Sequence, residues 1–423
     1  MFGENDMERK KLLLLGIDST TRDAIEYAKS KNVYTIVTDF SSPETKKEKK
    51  LADEYWMIDV ADFETLKNKC IEEGVTNIYA GTNEFCLDQC KRLCKELGFP
   101  FYASDDGWKA SRDKGFYKEE CRKAGVLTPK QYYLDKNFSG KDLEKIQYPV
   151  VVKPSDSTAR KGLSIVSNQD ELRTAYEKAL EYSENKKIIV EQYIDGIDAY
   201  IGCYIHNKKL KLLYVTVTQF IRVNSQKRFA FSSDFSKITK LVDEQLLSKY
   251  QKLISNMNCE NGVCMFQCTS RDNLIYTFEF GYRLDGIRIW ERVARTKGIN
   301  ELKMMVDLAL GENISDDAFI ENGTKEKHIC WLMWSLPGKI SKIEGRKELY
   351  SRNDIGVLVD RFKEGDTVLD VLDMRAIALI IEVFGKNYEE ITEKMMYINK
   401  TLHFYDENMN DMIIHRMPDF ENW

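Results

Sequence analysis

The sequence predicts an α/β protein with an α+β core, on three observations. Short apolar runs alternate with helical periodicity through the first hundred residues, and β-branched runs flank one amphipathic helix between residues 148 and 218. A length of 423 residues leaves room for two to four domains of ~100–200 residues each. Composition is that of an ordinary globular chain, 43% hydrophobic and 31% charged. The balance of 63 basic against 68 acidic residues disfavours a general nucleic-acid binder, which carries a basic excess. Only 4 histidines occur, His206, His328, His403 and His415, with no close pair among them. Chemistry built on imidazole is therefore a poor fit, and a phosphate-centred chemistry of lysines, carboxylates and a metal fits better.

Taken in order, the start MFGENDMERKKLLLLGID has at most seven apolar residues in a row, too few for a signal-peptide core or a membrane span. The expected location is the cytoplasm, with the 10 cysteines as reduced thiols. Residues 11–17 read as a strand, Ser19, Thr20 and Thr21 as caps, and Ala24, Ile25 and Ala28 as the inner face of a helix. Strands at Tyr34–Thr38 and Ile78–Ala80, with a helix around Leu66–Glu73 between them, complete a small parallel unit with its ligand edge at the strand C-termini. No GxGxxG follows the first strand, so Asp39 is weak support for a dinucleotide. Asn83 and Glu84 sit at the predicted edge and read either as substrate contacts or as a helix cap and first-turn acid. Cys86, Cys90 and Cys94 share one helix face and read as small buried hydrophobes.

Helical periodicity returns between Gly107 and Pro129, with Lys114, Tyr117 and Cys121 in register. YPVVVKPSDSTARKGLSIV gives two strands around a polar loop, and Asp170–Tyr182 a helix with Ser167 and Asp170 at capping-box spacing. KKIIVEQYI is a further strand, and residues 199–206 pair with 210–218 across Asn207-Lys208-Lys209. A helix over Val242–Met257 precedes strands at Gly262–Cys268 and Leu274–Phe280, and Ile299–Leu310 is amphipathic. VLVDRF and RAIALIIEVFG supply core to the C-terminal part.

The chemistry-bearing residues fall in the middle of the chain. Lys153 ends a valine strand and leads into Ser155, Asp156, Ser157, Thr158, Arg160, Lys161 and Gly162, a loop whose hydroxyls, amides and cations suit a polyphosphate. A solvated basic hairpin explains that loop about as well. In EQYIDGID, a strand end offers backbone groups to an adenine edge and Asp198 a carboxylate to ribose hydroxyls. Gln267 and Glu279 lie on adjacent strands, each able to point an oxygen at one cation such as Mg²⁺. Arg283 follows Glu279 by four residues, where it can stabilise charge on a transferring phosphoryl group. Asp285 and Arg288 are further substrate candidates, Arg288 equally reading as the ion-pair partner of Glu291.

The order of these features resembles the ATP-grasp superfamily, specifically its carboxylate-amine ligase and carbamoyl-phosphate-synthase-like branch. The resemblance rests on DKGFYKEECRKAGVLTP, VVVKPSDSTARKG, EQYIDGID and the paired strands GVCMFQC and YTFEFGYRLDG. It implies a Rossmann-like pre-ATP-grasp domain over 1–106, an ATP-grasp domain over 107–311 with a mobile lid subdomain at about 128–193, and a C-terminal α+β part over 312–423. Lys114 and Lys153 then look like the lysines that hold ATP phosphates. Ser155, Ser157, Lys161 and Gly162 belong to the lid loop, Glu191, Gln192, Tyr193 and Ile194 to the adenine hinge, and Asp198 matches the ribose carboxylate. Gln267 and Glu279 match magnesium ligands, with Mn²⁺ as a substitute, and Arg283 the arginine facing an acyl phosphate. The implied activity couples a small carboxylate, an amino acid among the candidates, to an amine with release of ADP and phosphate. The implied partners are small molecules, with a homodimer as an assembly and neither nucleic acid nor membrane. Two positions depart from the pattern: Gly281 stands where the family places a metal-binding asparagine, and Thr158-Ala159-Arg160 replace a glycine-rich stretch. Gly281 keeps open a nucleotide-binding regulator without turnover, and a carbamoyl-phosphate-type step is a further alternative.

Overall fold

The strand Lys11–Leu15 (β1) is buried along four of its five positions, because a parallel strand is covered on both faces. The computed structural model describes residues 9–134, 138–139, 143–156, 161–223, 226–234, 236–371 and 374–414. These divide into two compact units. One holds the described residues of Met1–Tyr102 and Arg283–Asp419, the other those of Ala103–Tyr282. Chain boundaries thus fall at Tyr102/Ala103 and Tyr282/Arg283, and the segment from Arg283 onward folds with the N-terminal part.

In the first unit, β1 lies between Tyr34–Thr38 (β2) and Asn77–Tyr79 (β4), with the short Glu54–Trp56 (β3) outside β2, all parallel. The third predicted strand is therefore the fourth, since β3 is too short to carry a periodic signal. Helix α1 (Thr21–Ser30) has no side-chain cap. Thr20 instead donates to Asp18 Oδ1 at 2.7 Å, and the other oxygen of Asp18 accepts from the Thr82 amide at 2.5 Å and hydroxyl at 2.9 Å. One carboxylate so ties the chain beyond β1 to the chain beyond β4. The helix Phe63–Glu72 (α2) leads into β4, and Glu84–Leu97 (α3) follows it. The inner face of α3 buries Cys86, Cys90 and Cys94 as thiols, with Cys90 Sγ 3.9 Å from Cys94 Sγ. The later part of the unit contributes Lys327–Ser335 and Ile377–Gly385, an antiparallel pair buried on both faces, with Ile355–Asp360 beyond.

The second unit opens with α4 (Asp105–Arg112) and α5 (Lys114–Ala124). A four-stranded antiparallel sheet follows in the order β5 (Gln131–Tyr132), β8 (Ile188–Gln192), β6 (Val150–Pro154), β7 (Ser164–Val166). The helix Gln169–Glu181 closes its core through Leu172, Ala175 and Ala179 against Val150, Val152 and Val190. The capping box lies one residue later than the spacing suggests: Asn168 accepts from the Glu171 amide at 3.1 Å, and Glu171 accepts from the Ser167 amide at 3.0 Å. A second antiparallel sheet runs β13 (Leu274–Gly281), β12 (Gly262–Arg271), β9 (Ile197–His206), β10 (Lys209–Val223), β11 (Gln226–Asp234). Asn207 and Lys208, at φ 49° and 66°, form the two-residue turn between β9 and β10 that matches strand twist. The single helix expected over Val242–Met257 is two, Ser236–Gln245 and Leu247–Asn256, broken at Leu246.

Candidate active site

Helix α5 starts at Asp113, whose carboxylate caps the amides of Gly115 and Phe116 at 2.8 and 3.1 Å. The cap sets the helix phase, so that Lys114 and Lys118, one turn apart, lie on one face. Lys118 is 2% exposed and forms an ion pair with Glu191 Oε2; Lys153, at the end of β6, pairs with Glu191 Oε1. Lys114 Nζ stands 3.5 Å from Glu279 Oε1, and Lys153 Nζ lies 5.7 Å from the centre of the Phe278 ring. Three lysines thus meet two carboxylates in the second unit. Burial pushes Lys153 down to about 8, with Glu279 opposing and Lys114 adding to the fall. Burial likewise holds Lys118 well below the usual lysine range, the charge of Lys153 acting in the same direction. Such a cluster favours an added anion, since each lysine gains a charged partner where water is excluded.

On β12 and β13, Gln267 and Glu279 stand directly opposite each other. The register shifts between Gln267 and Cys268, which pairs with Thr277, leaving Phe278 as an extra residue. This bulge re-aims Glu279 beside Lys114. Both side chains are partly exposed, and amide and carboxylate oxygens suit a hard divalent cation. Among the described residues there is no group of three or more His, Cys, Asp or Glu side chains placed for a metal. The site therefore fits an ion of the Mg²⁺ type that completes its shell with phosphate and water, not a dedicated protein cage. Gly281 pairs with Met265, and a Cβ there would stand 3.0 Å from Met265 Cγ, so a larger residue at this position needs the Met265 side chain to shift.

Other expected contacts are already engaged. The Gln192 and Tyr193 amides donate to Lys130 and Pro149 carbonyls at 2.9 and 3.0 Å, which fixes the strand end and brings the Ile194 backbone next in line for a base edge. Asp198 Oδ1 accepts from the Thr269 hydroxyl at 2.6 Å, a bond that orients the carboxylate expected to meet a ribose. Ser155 is buried, with its hydroxyl 3.0 Å from Asn185 Nδ2 and its amide on the Lys187 carbonyl, bonds that brace the start of the loop. Lys161 is exposed and Gly162 turns the chain at φ 71°. Ser157 lies outside the described residues.

In the first unit, Asn83 caps α3 through the Cys86 amide at 3.1 Å, which is the capping role. Glu84 accepts from Arg283 Nε and Nη2 at 3.3 and 3.1 Å. Asp285 is buried and accepts from the amides of Ile287 and Ile289. Arg288 is engaged by other residues of the first unit. Its guanidinium bonds the Ser19 carbonyl at 2.5 Å, Asp23 at 2.7 Å and Glu291, and its backbone takes φ 63°.

A protein-family model described as D-ala D-ala ligase C-terminus matches residues 123–259. The phosphoribosylamine–glycine ligase of Fusobacterium nucleatum is 21% identical over 381 residues, 82% of this chain and 87% of that protein. Among solved structures, the L-amino acid ligase of Bacillus licheniformis superposes with a TM-score of 0.77 at 17% identity, covering 95% of this chain and 99% of that one. The chain has the fold of the ATP-grasp superfamily, to which these relatives belong. Its relatives in that superfamily are ATP-dependent ligases that form C–N bonds. The biotin carboxylase domain of the Hydrogenobacter thermophilus 2-oxoglutarate carboxylase, described in complex with MgADP and bicarbonate, covers 96% of this ATP-grasp chain and 91% of its own at TM-score 0.75 and 19% identity. No helix among the described residues is long and apolar enough to cross a membrane. Sequence reasoning missed Lys118, although its place one turn after Lys114 on a face shared with Tyr117 and Cys121 was a usable signal.

Proposed function

We propose that this ATP-grasp protein uses ATP and Mg²⁺ to join a small carboxylate, an amino acid among the candidates, to an amine. The carboxylate takes the γ-phosphoryl group to give an acyl phosphate, the amine attacks its carbonyl carbon, and phosphate leaves, with one proton released from the amine. The observation that carries this reading is the cluster of Lys114, Lys153 and Glu279 beside Gln267.

Lys114 and Lys153 would donate to phosphate oxygens, and the Gln192–Ile194 strand end and Asp198 would receive base and ribose. Gln267 and Glu279 would hold the metal, whose charge neutralises the phosphates when bound. Arg283, paired with Glu84 and four residues after Glu279, is the group we assign to the substrate carboxylate and its acyl phosphate, because a guanidinium can stabilise the charge of a transferring phosphoryl group. One observation, Gly281 at the position where the family places a metal-binding asparagine, favours a second reading as a nucleotide-binding regulator without turnover.

The test is a screen of carboxylate and amine pairs for ADP release with Mg²⁺, followed by mass identification of the product. ADP release that needs both partners and falls by ~10²–10³ in Lys153→Ala and Glu279→Ala is expected. MgATP binding without ADP under any pairing favours the regulator. ADP release with bicarbonate alone points instead to a carbamoyl-phosphate-type step.

A further inference from the structure

Glu191 serves two lysines at once, Lys118 through Oε2 and Lys153 through Oε1, and all three side chains are buried, at 2% exposure for Lys118, 3% for Glu191 and 7% for Lys153. Phosphate binding falls to Lys153 and leaves Lys118 without a part. A buried carboxylate that loses its only cation is left uncompensated, and such a loss is strongly unfavourable. If Lys153 were the sole partner of Glu191, a polyphosphate drawing Lys153 away would have to overcome that loss.

We propose that Lys118 is a positioning residue that keeps Glu191 neutralised, so that Lys153 is free to leave Oε1 for the nucleotide phosphates. The inference rests on the reading of Lys153 as a phosphate ligand. Lys118 is suited to the permanent role. It projects from α5, the least exposed of the three side chains, and Glu191 sits in the middle of its ladder, opposite Gln131 on one side and Val151 on the other. Lys153 is suited to the mobile one, since it ends β6 directly before the loop and has Glu279 and Lys114 close enough to shift its titration. Burial lowers both lysines, and the charge of Lys153 lowers Lys118 further.

The experiment measures MgATP affinity of the full chain by calorimetry in four forms: native, Lys153→Met, Lys118→Met and Lys118→Met/Glu191→Gln. At least tenfold weaker binding is expected in Lys118→Met, where Glu191 holds Lys153 alone. Adding Glu191→Gln should recover most of that loss, because the restraining charge is gone, whereas a merely structural lysine predicts a double variant as weak as the single or weaker. Should Lys118→Met melt below the working temperature, Lys118→Gln replaces it in both forms, keeping a donor without the charge. Native-like binding in Lys153→Met would sink the phosphate role of Lys153 itself. Weakened Lys153→Met beside native-like Lys118→Met, or a double variant without recovery, would overturn only the role of Lys118.

Discussion

Each unit buries a charged cluster, and the two are unbalanced in opposite directions. In the second unit Lys114, Lys118 and Lys153 meet Glu191 and Glu279. In the first, Asp285, Glu301 and Glu382 are buried around Arg292, which is 2% exposed and reaches Glu382 Oε1 at 3.5 Å. The first unit removes its excess negative charge with a proton: burial, then the charge of Asp285, pushes Glu301 up to about 8 against the pull of Arg292. His328, on the neighbouring strand, is held neutral by burial and by Arg292. The lysine-rich cluster of the second unit is the one we propose for a nucleotide. Burial alone thus does not mark a site; the sign of the imbalance and its access to a nucleotide do.

The largest expected effect breaks the first cluster. Arg292→Met removes the cation that pairs with Glu382 and lowers the pKa of Asp285 and Glu301, and should lower unfolding stability by ~3–5 kcal/mol. A denaturant midpoint close to that of the native chain would show that Arg292 is not the counter-charge.

A smaller effect reads the proton on Glu301. Between pH 4.5 and about 8 the folded chain holds a proton there that the unfolded chain has released, so stability falls as pH rises across that window. The contribution is complete below 4.5 and lost above about 8. It amounts to a few kcal/mol, because each tenfold gain in proton affinity on folding is worth about 1.4 kcal/mol. Glu301→Gln should flatten this part of the profile of melting temperature against pH, and an unchanged slope would assign it elsewhere.

The smallest effect sharpens the second cluster. Gly281→Asn supplies a third oxygen ligand but pushes a Cβ toward Met265, so stability should drop by ~1 kcal/mol while less Mg²⁺ is needed for MgATP binding. An unchanged metal requirement would separate Gly281 from the metal site.

Much of this was legible beforehand. The apolar run of β1, the helical register of Lys114, Tyr117 and Cys121 and the valines before Lys153 are local signals, and the order of five short motifs pointed to the superfamily. Legibility ended where one residue served two purposes. Ser155, Asp285 and Arg288 carry functional chemistry in their type, yet their partners Asn185, Ile287, Ile289 and Asp23 are set by packing. The bulge at Phe278 has no sequence marker, since Phe is an ordinary strand residue.

By itself, then, the sequence determined the secondary elements and the residue types available for phosphate and metal, because helix phase and strand alternation act over a few residues. Only the tertiary structure decided which charges meet. Lys118, Lys153 and Glu191 come from α5, β6 and β8, and the strength of their interaction depends on distance and on exclusion of water, neither of which is encoded in any local stretch of chain.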